Sequence, residues 1–204
     1  MASNPNISPV TGQQVEAYWK LFMSFPLRNN PLHDNGPNLN RTGQETSAEI
    51  FYLPANMGSR PTKKKGNLPK GIKLVIPIIN IIESQAELRG GQEPTIDELH
   101  EITRKDQDSI TDMRLDINGN RKQKQDLDKF RIHVGPFSVN IPPDGLYGSR
   151  PGESQAVVDG HFVITEPLNP DRYMISTFGR LHCVGSKCVD ENFETDNFYD
   201  IEIA

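Results

Sequence analysis

The stretch Ile72-Lys-Leu-Val-Ile-Pro77-Ile-Ile-Asn80-Ile-Ile82 decides how this chain reads. Apolar side chains fall at odd and even positions alike, so an extended chain here leaves neither face for water. Such a run, rich in β-branched residues, predicts a strand buried on both faces. Pro77 has no N–H to give to a ladder and predicts a bulge or an edge position. Asn80 is the one amide in the run. A buried amide must find hydrogen-bond partners, so Asn80 is either structural or a ligand-binding candidate.

Outward from this run the pattern is mostly β. Strands are predicted over 49–53, 113–117, 130–134, 156–158, 161–165, 172–178 and 198–203. Asn118-Gly119 and Asp159-Gly160 read as turn dipeptides, and Leu168-Asn169-Pro170-Asp171 as a further turn. Helical spacing is clear once, near the start. Thr11 and Gln14 form a capping box, Val15, Tyr18, Trp19 and Phe22 fall at i, i+3, i+4 and i+7, and Pro26 stops the helix. A second, short helix is expected from Thr95, with Glu98 completing another capping box. The fold class expected is mainly β: an antiparallel, jelly-roll-like β-sandwich with one N-terminal helix and a second short helix. One domain spans 1–204, with an N-terminal extension over 1–10 and long loops over 28–47 and 59–71.

Leu, Ile, Val and Phe supply 51 of the 204 residues, above the roughly 20% below which chains tend to disorder. A net charge of −5 argues against a nucleic-acid partner, which needs a basic face. No apolar run reaches the 18 residues of a membrane span, and the polar start lacks the apolar core of a signal peptide. The charge is unevenly spread. Residues 60–73 carry Arg60, Lys63, Lys64, Lys65, Lys70 and Lys73 without an acid. Residues 189–204 carry Asp190, Glu191, Glu194, Asp196, Asp200 and Glu202 without a base. These segments are either solvated or meet each other, within a chain or between copies, and they make self-association a candidate partnership. Cys183 and Cys188 are spaced for a disulfide across a glycine-containing turn; a free-thiol pair and a zinc site with His182 are the alternatives.

Several pieces, in order, resemble a widespread family of uncharacterised, often exported bacterial and archaeal β-rich proteins. They are Tyr18-Trp19 through Ser24-Phe25-Pro26, Asn30-Pro31 and Asp34, then 76–80, 115–119, Val158-Asp159-Gly160-His161-Phe162, and Tyr173 through Phe178-Gly179. The resemblance implies a compact β-rich domain and an extracellular or cell-surface home, and brings no activity. His161 stands where the family pattern has a large aromatic residue.

Candidate chemistry rests on His33, Asp34, Asp159 and His161. As two His/carboxylate pairs they could hold a divalent metal. His161 and Asp159, with Asp34, could instead act as general acid and base in a hydrolase or lyase. His33 and Asn80 are ligand-binding candidates, and Trp19 could offer a stacking surface instead of packing in a core. Asp116-Ile-Asn118-Gly119 lacks the acid a calcium loop needs at its last position, since Leu127 stands there. Phosphate loops, nucleophile elbows and zinc helices are all missing. The leading expectation is a non-catalytic β-sandwich module that binds a ligand or surface. The hydrolase or lyase and a self-assembling subunit are its rivals.

Overall fold

The apolar run around Pro77 becomes the centre of a sheet covered on both faces, in a computed structural model that describes residues 4–25, 30, 32, 39, 49–56, 61–144, 149–184 and 192–204. In chain order the elements are β1 (Ile7–Pro9), α1 (Gly12–Met23), β2 (Ile50–Tyr52), β3 (Thr62–Leu68), β4 (Lys73–Ser84), α2 (Ile96–Asp108), β5 (Ile110–Ile117), β6 (Asn120–Gln123), α3 (Lys124–Leu127), β7 (Arg131–Ile141), β8 (Gly152–Thr165), β9 (Asp171–His182) and β10 (Asn192–Ile203). One sheet runs β1-β8-β4-β2, with β7 also on β8; the other runs β3-β10-β9-β5-β6. The molecule is a β-sandwich. Two pairings, β2 with β4 and β3 with β10, are parallel rather than antiparallel.

Pro77 does mark a bulge, and the bulge does work in the core. The β4–β8 register slips between Pro77 and Ile79, leaving Ile78 as the extra residue. Before the slip Leu74 and Ile76 face the second sheet; after it Ile79 and Ile81 do. The opposite face carries Val75 and Ile82 toward α1. β7 has a similar slip between Val134 and Phe137. Gly135 sits there at φ +135°, where an added Cβ would lie 2.9 Å from the Ala156 carbonyl oxygen.

Helix α1 covers the outer face of this first sheet. Thr11 and Gln14 make the expected capping box, and Val15, Tyr18, Trp19 and Phe22 are all buried. They meet Phe137, Val139, Val158 and Phe162, with Tyr18 edge-on to Phe162 at 5.6 Å between ring centres. Trp19, 1% exposed, is a core residue and not an open stacking surface. The inner face is shared. Part lies on the second sheet; the part made by β7 and β8 lies under α2, which then leads into β5 of that second sheet. Helix α2 has thirteen residues and opens on the expected Thr95–Glu98 capping box.

Three other expectations change. Asp159-Gly160 is not a turn: β8 runs unbroken through it, because Gly160 faces Asn80 so closely that a Cβ would fall 2.2 Å from the Asn80 Cβ. The N-terminal extension contributes a strand, β1, on β8. The basic stretch within 59–71 is not a loop. Thr62, Lys64, Gly66 and Leu68 alternate as buried positions with exposed Lys63, Lys65 and Asn67, and β3 pairs with the acidic tail, Lys65 against Asp200. Lys65 Nζ lies 3.7 Å from an Asp200 carboxylate oxygen that Arg172 also binds. The oppositely charged segments do meet, inside one chain.

Asn118 and Gly119, at φ 53° and 84°, form the expected tight turn, between β5 and β6. Trp19→Ala should lower unfolding free energy by about 3–5 kcal/mol in urea titration, the usual loss for a large buried aromatic. Gly160→Ala should cost about 1–3 kcal/mol or more, since the Asn80 backbone must give way; unchanged stability would contradict the contact.

Candidate functional site

Strand alternation decides which of the candidate residues can meet. On β8, Val158 and Phe162 point to α1 and Val163 points to the inter-sheet core. Asp159 and His161 therefore lie on the inner face, while Asn80, in register with Gly160, lies half-buried on the α1 face. The structure brings Asp159 and His161 together and separates Asn80 from them. His33 and Asp34 lie outside the described residues.

Asp159 is 1% exposed and carries three hydrogen bonds from neighbours on β7. Arg131 binds it with two parallel bonds of 2.9 Å, from Nε and Nη2. His133 Nδ1 lies 3.1 Å from the same carboxylate. The register dictates this, since His133 faces Asp159 and Arg131 faces His161 across the strands. Arg131 Nη1 also reaches Asp108 of α2 at 2.5 Å. A buried carboxylate held by a forked guanidinium is a strong, geometrically specific pair. It has no spare lone pair directed at solvent, so Asp159 is a poor general base.

His161, 3% exposed, accepts a hydrogen bond at Nδ1 from Gln107 of α2 at 2.8 Å, and the same amide donates to the Ile79 carbonyl. Burial, then the neighbouring Arg131 charge, push its pKa down to about 4. It is a neutral, structural imidazole at ordinary pH.

The side chain that reaches outward from this cluster is His100 on α2. Its Nδ1 lies 2.6 Å from His133 Nε2, giving a chain Asp159–His133–His100. With Nδ1–H donating to the carboxylate, His133 turns its Nε2 toward His100, where it can accept from the His100 Nδ1–H. Burial, then the His133 charge, lower the His100 pKa. Two imidazoles on one tetrahedral zinc would place their nitrogens roughly 3.3 Å apart, from Zn–N bonds of about 2.0–2.1 Å. The observed contact is tighter and fits a hydrogen bond. Among the described residues no group of three His, Cys, Asp or Glu side chains could hold a metal ion; His33 and Asp34, the other two residues of the metal reading, lie outside those residues.

His100, His133 and Arg131 escaped the sequence reading. A signal was present: His100, Arg104 and Asp108 sit at i, i+4 and i+8 of a helix, beside the buried stripe of Leu99, Thr103 and Gln107. Nothing local says that this polar stripe faces a buried aspartate.

A separate open cleft of about 440 Å³ lies at the other end of β8. Gln85, Glu93, Arg150, Glu153, Ser154 and Gln155 line it, with Ala86 and Pro151. Gln155 is four residues from Asp159, roughly 13 Å along the strand. Arg150 and Glu93 form an ion pair. Close by, Glu83 is buried against Arg89 at 2.8 Å, and burial, then the Glu83 charge, push the Glu87 carboxyl up to about 7.

No family model, curated protein or solved structure matches this chain.

Removing Arg131 would strand the Asp159 charge, and Arg131→Ala should cost about 3–5 kcal/mol by chemical denaturation. His161 gives a pH signature. Its folded pKa is below the ordinary 6.5, so the unfolded chain takes the proton first as pH falls. Stability held above pH 6.5 is lost on the way down to about 4, by roughly 3 kcal/mol. His161→Gln should flatten urea midpoints over that range, and a variant as acid-sensitive as wild type would refute the assignment.

Proposed function

We propose that this chain is a non-catalytic β-sandwich binding module that takes a hydroxyl-rich, uncharged ligand, such as a neutral carbohydrate chain, in the cleft at the start of β8. The observation that carries this reading is the contrast between two polar groupings. Asp159 and His161, the acid–base candidates, are buried, whereas the amide, hydroxyl, carboxylate and guanidinium groups of the cleft, though hydrogen-bonded within the protein, stand on an open surface. Such side chains donate to and accept from vicinal hydroxyls together. Two acids against one base on the cleft wall disfavour a polyanion. The test is an amide NMR titration of the full chain with neutral cello-, xylo-, manno- and chito-oligosaccharides, with heparin oligosaccharide as an anionic control. Shifts at Gln85, Ser154 and Gln155 that vanish in Arg150→Ala and Glu153→Ala support the reading. No shifts at millimolar sugar, or a preference for heparin, exclude it.

A hydrolytic reading keeps one observation in its favour. A carboxyl raised toward neutral pH can serve as a general acid, and Glu87, pushed up to about 7 by burial and then by the Glu83 charge, follows directly on the cleft residues Gln85 and Ala86. Turnover of any bound oligosaccharide, lost in Glu87→Gln with binding retained, would favour hydrolysis over binding alone.

The family-like motifs support an exported module, and with it a Cys183–Cys188 bridge. Cys183 directly follows β9, and Cys188 lies outside the described residues. Intact mass after alkylation without reductant should show no added label in protein from an oxidising compartment; two labels would exclude the bridge and weaken the case for export.

A further inference from the structure

We infer that the docking of α2 on the first sheet is an acid-sensitive switch, built from the contact between His100 of α2 and His133 of β7. The contact is direct, at 2.6 Å between ring nitrogens and 4.8 Å between ring centres. It is also the outermost link of a chain anchored on buried Asp159. A hydrogen bond between two imidazoles needs one N–H and one lone pair. With both rings neutral, His100 donates and His133 accepts. One added proton is accommodated at His100 Nε2, which leaves the bond intact. A second proton has only His133 Nε2 to go to, and then two N–H groups and two positive charges face each other across the contact.

The charges around the pair are mixed. Asp159, the carboxylate beside His133, is held by the fork of Arg131, and the same guanidinium is shared with Asp108. On α2, Arg104 opposes a charge on His100 while Asp97 favours it, and Glu101 is drawn to Lys105 at 2.5 Å. From β8, His161 is buried and neutral, bonded to Gln107. Burial, then the facing His133, hold the His100 pKa below the ordinary histidine value, and like charges in a partly desolvated contact repel strongly. Glu93, two residues before the Thr95 cap of α2, lines the β8 cleft, so release of α2 carries that rim with it. The inference concerns α2 and stands whether or not the cleft binds sugar.

Hydrogen exchange read by mass spectrometry on the full chain tests it, at pH 7.5 and 5.0 with intrinsic exchange rates corrected. Peptides from α2 should lose protection at least tenfold at pH 5.0 while peptides from β9 and β10 hold. His100→Gln, which leaves His133 facing no second cation, should remove the pH dependence of α2, and His161→Gln should leave it in place. Imidazole NMR titration of wild type gives a second readout that needs no variant: the pair should bind its first proton well before its second. Flat α2 protection in wild type, an equal loss in His100→Gln, or two independent titrations near pH 6.5 would each overturn the switch.

Discussion

Burial of the β4–β8 pair on both faces is the constraint from which the rest follows. A strand with apolar side chains on both sides needs two covering layers, and one sheet can supply only one. Here the second sheet and α2 share the inner face, and α1 takes the outer one. The bulge at Pro77 lets β4 change which parity faces inward without leaving the ladder, so that Ile76 and Ile79 both reach the inter-sheet core. Gly179 of the second sheet sits against Ile79 where the two sheets meet, and Gly160 sits against Asn80 on the neighbouring strand of the first sheet.

The same enclosure sets the electrostatics. Asp159 lies on a strand buried along its length and cannot be left alone as a charge. Its partners come from the neighbouring strand in register, Arg131 and His133, and from the helix laid over them. This polar core ties α2 to the sheet by directional bonds where apolar contact is thin. Unlike an apolar seam, such bonds depend on protonation, which makes the attachment of α2 conditional. The second sheet solves its charge problem differently: lysines of β3 and acids of β10 alternate outward on paired strands, where water screens them and Arg172 and Lys65 converge on Asp200.

Burial also separates the two polar groupings of β8. Asp159 and His161 spend hydrogen bonds on Arg131, His133 and Gln107 inside the sandwich. The polar side chains at the start of β8 bond to one another and to their neighbours at the surface, beside the β4–α2 connection.

The sequence by itself determined what short-range physics controls. Both capping boxes, the aromatic stripe of α1, the bulge at Pro77, the Asn118-Gly119 turn and the β-rich class follow from spacing and from backbone preferences within a few residues. Tertiary structure decided the rest, because it depends on which face of which strand meets which layer. Asp159-Gly160 has the composition of a turn, yet Gly160 is there to admit Asn80 across the sheet. A lysine-rich stretch with a glycine has the composition of a loop, yet the acidic strand beside it makes it a strand. The His100–His133–Asp159 chain joins three elements through register and helix phase, and pairings over that sequence distance are set by the assembled core.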